Sequence, residues 1–243
     1  MRHIARLPFV IGVLATVVAP DARATRPDPA DDSMRRFLSQ DDTLHAYQAV
    51  RRIEAENGSR RGWLEASTEY APGTGFRYKV MAEDGSRYIR DKVLRALLDA
   101  ERNAIAQGEL TRSALVPENY VFQAQGVDAD GLARVLMSPR RREGMLVAGT
   151  MYLRPGGHLV RLEGRLARNP SFWVKNVDIV RTYECIDGAI VPVALESHAE
   201  VRFLGEAALR MTYRYSAIDG HPVEAPQERP GDPRIIAARS ARE

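Results

Sequence analysis

From Val191 onward the chain alternates apolar and polar residues almost one for one. Val191, Val193, Leu195, Ala199, Val201 and Phe203 stand against Glu196, His198, Glu200 and Arg202, and Leu209, Met211, Tyr213 and Tyr215 stand against Arg210, Thr212 and Arg214. A period of two puts one set on each face of a strand, so each strand has a dry side and a wet side. Strands of a doubly covered parallel sheet would instead be apolar on both faces, so the pattern points to an antiparallel sheet solvated on one side. The first of these runs is also far longer than the usual five or six residues.

The same alternation recurs earlier. Leu64, Ala66, Thr68 and Tyr70 oppose Glu65 and Glu69; after the turn Ala71 to Gly75, Phe76, Tyr78 and Val80 oppose Arg77 and Lys79, which makes a hairpin. Val160, Leu162 and Leu166 oppose Arg161, Glu163 and Arg165, with turns supplied by Pro155-Gly156-Gly157, Asp187-Gly188 and Gly205. Two helical regions are expected as cover. One runs from Asp32 or Ser33 to Asn57-Gly58 on the spacing of Leu44, Tyr47, Val50 and Ile53. The other is capped by Ser86, follows Ile89, Val93, Ala96, Leu97, Ala100 and Ala104, and ends at Gln107-Gly108. About nine one-sided strands joined by short turns form a sheet that curls around its dry face. The expected fold is therefore α+β: a strongly curved antiparallel sheet forming an open, half β-barrel with amphipathic helices covering the concave face.

The start of the chain reads as a signal peptide over residues 1–24, with Arg2 and Arg6 before an apolar run from Leu7 to Val18 and the small-residue pattern Ala22-Arg23-Ala24 behind it. Residues 25–32 then read as a flexible leader, 33–220 as a single half-barrel domain, and 221–243 as a flexible tail rich in Pro and Arg. Export to the periplasm follows. Removing the leader sequence brings 35 basic and 32 acidic residues close to balance. Near-neutrality and export both argue against nucleic acid as a partner. The basic run Arg140-Arg141-Arg142 reads as the solvated tip of a hairpin. Cys185 is the one cysteine, so no intramolecular disulfide is available and stability rests on a core, which about 219 residues are enough to build.

Catalytic signatures are missing from the sequence. It has no Gly-x-Ser-x-Gly elbow, no His-Glu-x-x-His and no Walker loop, and Gly73 to Tyr78 lacks the last glycine of a dinucleotide fingerprint. The expectation is a protein that is not an enzyme, with no cofactor and no metal. His198 sits between Glu196 and Glu200 on one strand face, but that face is the solvated one, where Arg202, Arg210 and Arg214 make a charge ladder. Cys185 shares a face with Val177, Ile179 and Tyr183 and reads as a small core residue. Asn57-Gly58-Ser59 reads as a helix stop.

Two features are harder to absorb into a plain core. Arg181 interrupts the apolar face between Ile179 and Tyr183, and a cation there needs a partner: an internal salt bridge, a place at the sheet's rim, or the anionic head group of a ligand. Phe172 and Trp173 follow Pro170 in the break between two strands, where they act either as a plug at the end of the sheet or as an apolar rim at the mouth of a cavity. With Leu195 and Tyr213 on the dry face, Phe172, Trp173 and Arg181 are the candidate ligand-binding residues.

The stretch from Val160 to Gly220, above all Pro170-Ser171-Phe172-Trp173, Val177-Asp178, Val191-Pro192-Val193 and Glu196-Ser197, resembles a bacterial exported branch of the LolA-like superfamily, which holds periplasmic lipoprotein carriers and outer-membrane lipoprotein-sorting proteins. The resemblance covers most of Trp63 to Gly220. It implies an open barrel whose apolar interior holds acyl chains under a helical lid, and no position here matches the arginine that contacts the lid in those carriers. The partner so implied is an apolar ligand or a lipid-modified protein. The alternative is an envelope sensor or scaffold whose helices fill the concavity and which works through protein contacts.

Overall fold

The computed structural model describes residues 28–40, 44–143, 146–169, 172, 174–202 and 205–224. The signal-peptide segment, most of the tail, and Pro170, Trp173 and Phe203 lie outside the described residues. Helix α1 (Pro29–Ser39) comes first, capped by the Asp28 carboxylate on the Ala30 amide at 2.9 Å, and it starts within the segment read as a flexible leader. Strands β1 (Tyr47–Asn57), β2 (Arg60–Ala71) and β3 (Gly75–Gly85) follow. A helical stretch then runs through α2 (Arg87–Ile89), a π-helical turn (Arg90–Leu94), α3 (Arg95–Ala106) and α4 (Glu109–Ser113). The rest is a meander: β4 (Tyr120–Val127), β5 (Ala133–Pro139), β6 (Val147–Leu153), β7 (Leu159–Leu166), β8 (Val174–Ile186), β9 (Ala189–Val201), β10 (Gly205–Ile218) and the two-residue β11 (His221–Pro222).

All strands belong to one antiparallel sheet in the order β3-β2-β1-β10-β9-β8-β7-β6-β5-β4, with β11 on β10. The two edges, β3 and β4, are not paired with each other, so the barrel stays open. Because β3 ends at one edge and β4 begins at the other, the chain between them must cross the sheet. That crossing segment is α2 to α4.

Two cores result. Helix α1 packs on β4, β5 and β6, and Ala30, Tyr120, Val135, Met137, Met151 and Leu153 are buried together there. The crossing helix packs on β1, β2 and β3, burying Ile53, Leu64, Ala66, Phe76, Leu94 and Leu98. Each fully buried Leu or Ile contributes about 1.5–3 kcal/mol, so each helix is held by its own cluster. Between β6 and β7 the backbones approach closely, and Gly149 lies directly opposite Gly164. A Cβ on Gly149 would sit 2.0 Å from the Glu163 carbonyl oxygen, and one on Gly164 would sit 2.3 Å from that of Ala148.

Several expectations need correction. The helix expected up to Asn57 ends at Ser39, and residues 47–57 form β1. Its inward set is Ala49, Arg51, Ile53 and Ala55, and the inward-facing Arg51 hid the period of two. Asn57-Gly58-Ser59 is accordingly the β1–β2 turn, with Gly58 at φ 56°, and stops no helix. In the second helix the π-turn inserts one extra residue, so burial runs Ile89, Leu94, Leu98 instead of Ile89, Val93, Leu97. Ser86 holds the N-cap position without a side-chain capping bond. Cys185 is exposed, because it lies at the outer end of β8, two residues before the Asp187-Gly188 turn and beyond the packed part of the sheet.

Candidate functional site

The concave face is not evenly filled. Between the two helix-covered cores lie β8, β9 and β10, and the crossing helix leaves a groove over them of about 680 Å³. Ile89 and Val93 form its helical wall, and Val177, Ala199, Val201 and Leu209 form its floor. The floor consists of small and branched apolar side chains, a direct product of the strand alternation. The helical wall is set by the π-turn, which puts Lys92 and Val93 over the strands and turns Leu94 down into the core. Single π-turns within α-helices recur at functional sites because they re-aim side chains in this way.

The groove opens at the end of the sheet where the β1–β2 turn, Asn57 to Arg60, meets Tyr88. The Arg60 guanidinium lies 5.1 Å from the centre of the Tyr88 ring. Val174 and Val201, paired across β8 and β9, complete this end. Phe172 stands just before Val174, is 65% exposed, and has the Arg202 guanidinium 3.9 Å from its ring centre. An aromatic ring so exposed does not plug the core; it lies against Arg202, which continues the polar set of β9, and is not among the residues that line the groove. Trp173 lies outside the described residues.

The other three candidates cluster deeper in the concavity. Leu195 pairs with Arg181 on one side and Met211 on the other, and Tyr213 pairs with Arg51 of β1. Arg51, which the sequence reading missed, is the most buried charge in this group at 3% exposure. Its Nη1 and Nη2 donate to the Glu101 carboxylate of α3 at 2.6 and 3.0 Å, and Nη2 also donates to the Tyr47 hydroxyl. The guanidinium is flanked by the rings of Phe76 and Tyr213 at 5.0 and 4.8 Å. Burial presses Arg51 toward losing its charge, but the Glu101 hydrogen bonds and charge more than offset this, and its pKa stays above the ordinary range. The signal that could have revealed Arg51 is the helical charge face. Glu101 falls on the side of α3 that meets the sheet and so needed a cation beneath it.

Tyr213 stacks on Tyr215 at 6.1 Å, and Tyr47 meets Tyr215 edge-on at 5.9 Å. Burial pushes all three phenols above the usual tyrosine range. The middle of the concave face is thus an island of guanidinium groups and protonated phenols between two apolar cores. Arg181 is half-buried within it, with Tyr183 two residues along the same strand, and the nearby phenols favour its charged form.

The convex face is the charge ladder expected. His198 is exposed opposite Asp178 and Ala208; Glu196 pairs with Arg210 at 3.2 Å, and Asp178 takes two bonds from Arg165 at 2.8 and 3.0 Å. Among the described residues no group of His, Cys, Asp and Glu is arranged to hold a metal ion. Arg141, in the basic run, is engaged by Glu143 at 2.8 Å and Asn119 at 2.9 Å. No helix among the described residues is long and apolar enough to cross a membrane.

The fold and groove define an open half-barrel with an apolar recess under a crossing helix. Among solved structures, the chain is similar to a DUF1329 family protein from Desulfovibrio piger, at 11% identity and TM-score 0.40, over 77% of this chain and 92% of that one. It is also similar to a LolA superfamily protein from Nitrosomonas europaea, at 10% identity and TM-score 0.37, over 82% of this chain and 96% of that one. No family model matches the sequence, and no curated protein matches it.

Proposed function

We propose that this protein is an exported, non-enzymatic binding protein that shelters the apolar part of a lipid, or the acyl chains of a lipid-modified protein, in the groove between the crossing helix and β8–β10. The observation that carries this reading is the recess itself: about 680 Å³, floored by Val177, Ala199, Val201 and Leu209 and opening at one end of the sheet. Ligand sites are typically concave, mostly apolar and of this size.

Gentle purification of the exported protein, followed by solvent extraction and mass spectrometry, tests the reading. Wild type is expected to carry or take up a long-chain lipid, and Ala199→Glu, which puts a carboxylate on the groove floor, is expected not to. A wild type that neither carries nor takes up any apolar molecule sinks it. The second reading, an envelope scaffold or sensor, is favoured by the two helix-covered cores, which fill the concave face at β1–β3 and β4–β7 without help. A ligand-free protein that captures a defined envelope partner would support it.

A further inference from the structure

The concave centre holds more positive charge than it neutralises. Arg51 and Arg181 both reach into it, and the carboxylate that faces them is Glu101. Both Glu101 oxygens are taken by Arg51, at 2.6 and 3.0 Å. Among the described residues Arg181 forms no ion pair with an Asp or Glu; Tyr183 stands two residues along its strand, Tyr213 lies on the same concave face, and Glu101 is the carboxylate whose charge it feels. Neutral phenols can orient a guanidinium but cannot cancel its charge. A cation withdrawn from water without a counter-ion is costly, and an anion supplied from outside removes that cost.

The position of Arg181 relative to the groove adds the second constraint. Arg181, Ile179 and Val177 project from one face of β8, and Val174 ends that strand at the groove's mouth. Seven residues separate Arg181 from Val174, which is about 20 Å of strand. On β8 the groove's lining ends at Val177, so Arg181 stands beyond its inner end; a chain anchored there would cross the partly exposed Ile179, enter the groove at Val177 and leave past Val174 and the β1–β2 turn. That path suits one unbranched alkyl chain with a charged end.

Resting on the lipid-binding reading above, we propose that the protein takes a linear amphiphile with a single oxyanion head, the head group seated on Arg181 beside Tyr183 and Tyr213 and the alkyl chain lying in the groove. The carboxylate of a long-chain fatty acid and the phosphate of a single-chain phospholipid share this chemistry. Arg181 supplies two or three donors in a planar fork that matches either head.

Displacement of a fluorescent acyl probe by palmitate, methyl palmitate and hexadecyl phosphate, each kept below its micelle concentration, tests the assignment on the full exported chain. Palmitate or hexadecyl phosphate is expected to compete at least about tenfold better than the methyl ester, and whichever of the two competes better identifies the head. In Arg181→Gln the preference should fall to within about twofold while the methyl ester still binds. Equal competition by all three in wild type, or a preference that survives in Arg181→Gln, overturns the proposal and leaves lipid binding standing. Failure of all three to compete overturns both. Arg181→Met serves if the Gln variant folds poorly, and its melting temperature without ligand should equal or exceed that of wild type.

Discussion

Arg51 shows how much one residue can decide. Its guanidinium, 3% exposed, is held by a carboxylate from α3 that is itself 32% exposed, so the pair ties the crossing helix to the sheet at the centre of the concavity. Removing one partner of such a pair leaves a buried charge alone. Glu101→Gln is therefore expected to lower stability by about 3 kcal/mol in urea unfolding, whereas the double change Arg51→Met with Glu101→Leu should recover most of that loss. A second residue-scale constraint is steric. With a Cβ on Gly149 placed 2.0 Å from the Glu163 carbonyl oxygen, Gly149→Ala must push β6 away from β7. A loss of about 2–3 kcal/mol is expected, read as a lower urea midpoint, while the equally simple Gly58→Ala, with nothing within 4 Å, costs only the strain of its φ of 56°.

At the level of elements, the β2–β3 hairpin and the strands from β7 to β10 were legible, whereas β1, β4, β5 and β6 were not and the helices were legible only in part. The meander from β7 to β10 and the β2–β3 hairpin follow from side-chain alternation, because a face buried along its whole length leaves a period-two record. Strand β1 did not, since its inward face carries Arg51 and small alanines, and a buried cation reads as polar until its partner on another element is known. The π-turn was invisible for a related reason: its extra residue is stabilised by what Leu94 and Leu98 meet on the sheet, a tertiary effect that no local spacing encodes. Of the candidate site, the sequence marked Arg181, Leu195 and Tyr213 on one face, and the structure brings them side by side. Phe172 sits apart from them, against Arg202. The groove's helical wall could not be foreseen, because Val93 was expected to be core. The two faces of that helix should now separate cleanly by mutation. Leu98→Ala, beneath α3 and fully buried, is expected to cost about 3 kcal/mol of stability, as large-to-small core changes do. Val93→Glu, on the groove wall, should leave stability in urea unfolding within about 1 kcal/mol of wild type but reduce uptake of a fluorescent acyl probe at least tenfold. If both variants lose stability alike, the groove is not a pre-formed feature of the folded protein.

For the molecule as a whole, the two cores are joined through the polar island on β1, β10 and β8, and this island should respond to alkaline pH. Burial is the first cause that raises the pKa values of Tyr47, Tyr213 and Tyr215 in the island, and of Tyr120 in the α1 core and Tyr78 beside α3. In the unfolded chain these phenols lose their protons near pH ~10, whereas in the folded protein they hold them to higher pH. Above that point the native state binds more protons than the unfolded state, so stability falls as pH rises. The stabilisation is complete below the unfolded value and is lost progressively on the way up to the folded ones. Each phenol that titrates only in the unfolded chain adds about 1.4 kcal/mol per pH unit to the slope. Urea unfolding between about pH 8 and 11 should show this decline. The phenolate absorbance of the folded protein should also lag behind that of the protein in urea. Tyr215, whose hydroxyl donates to the Pro192 carbonyl at 2.9 Å and so links β10 to β9, is the best single test. Tyr215→Phe should lose some stability at neutral pH with that hydrogen bond, yet its stability should decline with pH by one phenol's share less steeply than wild type. An unchanged slope would mean that the Tyr215 phenol is wetter than its geometry indicates.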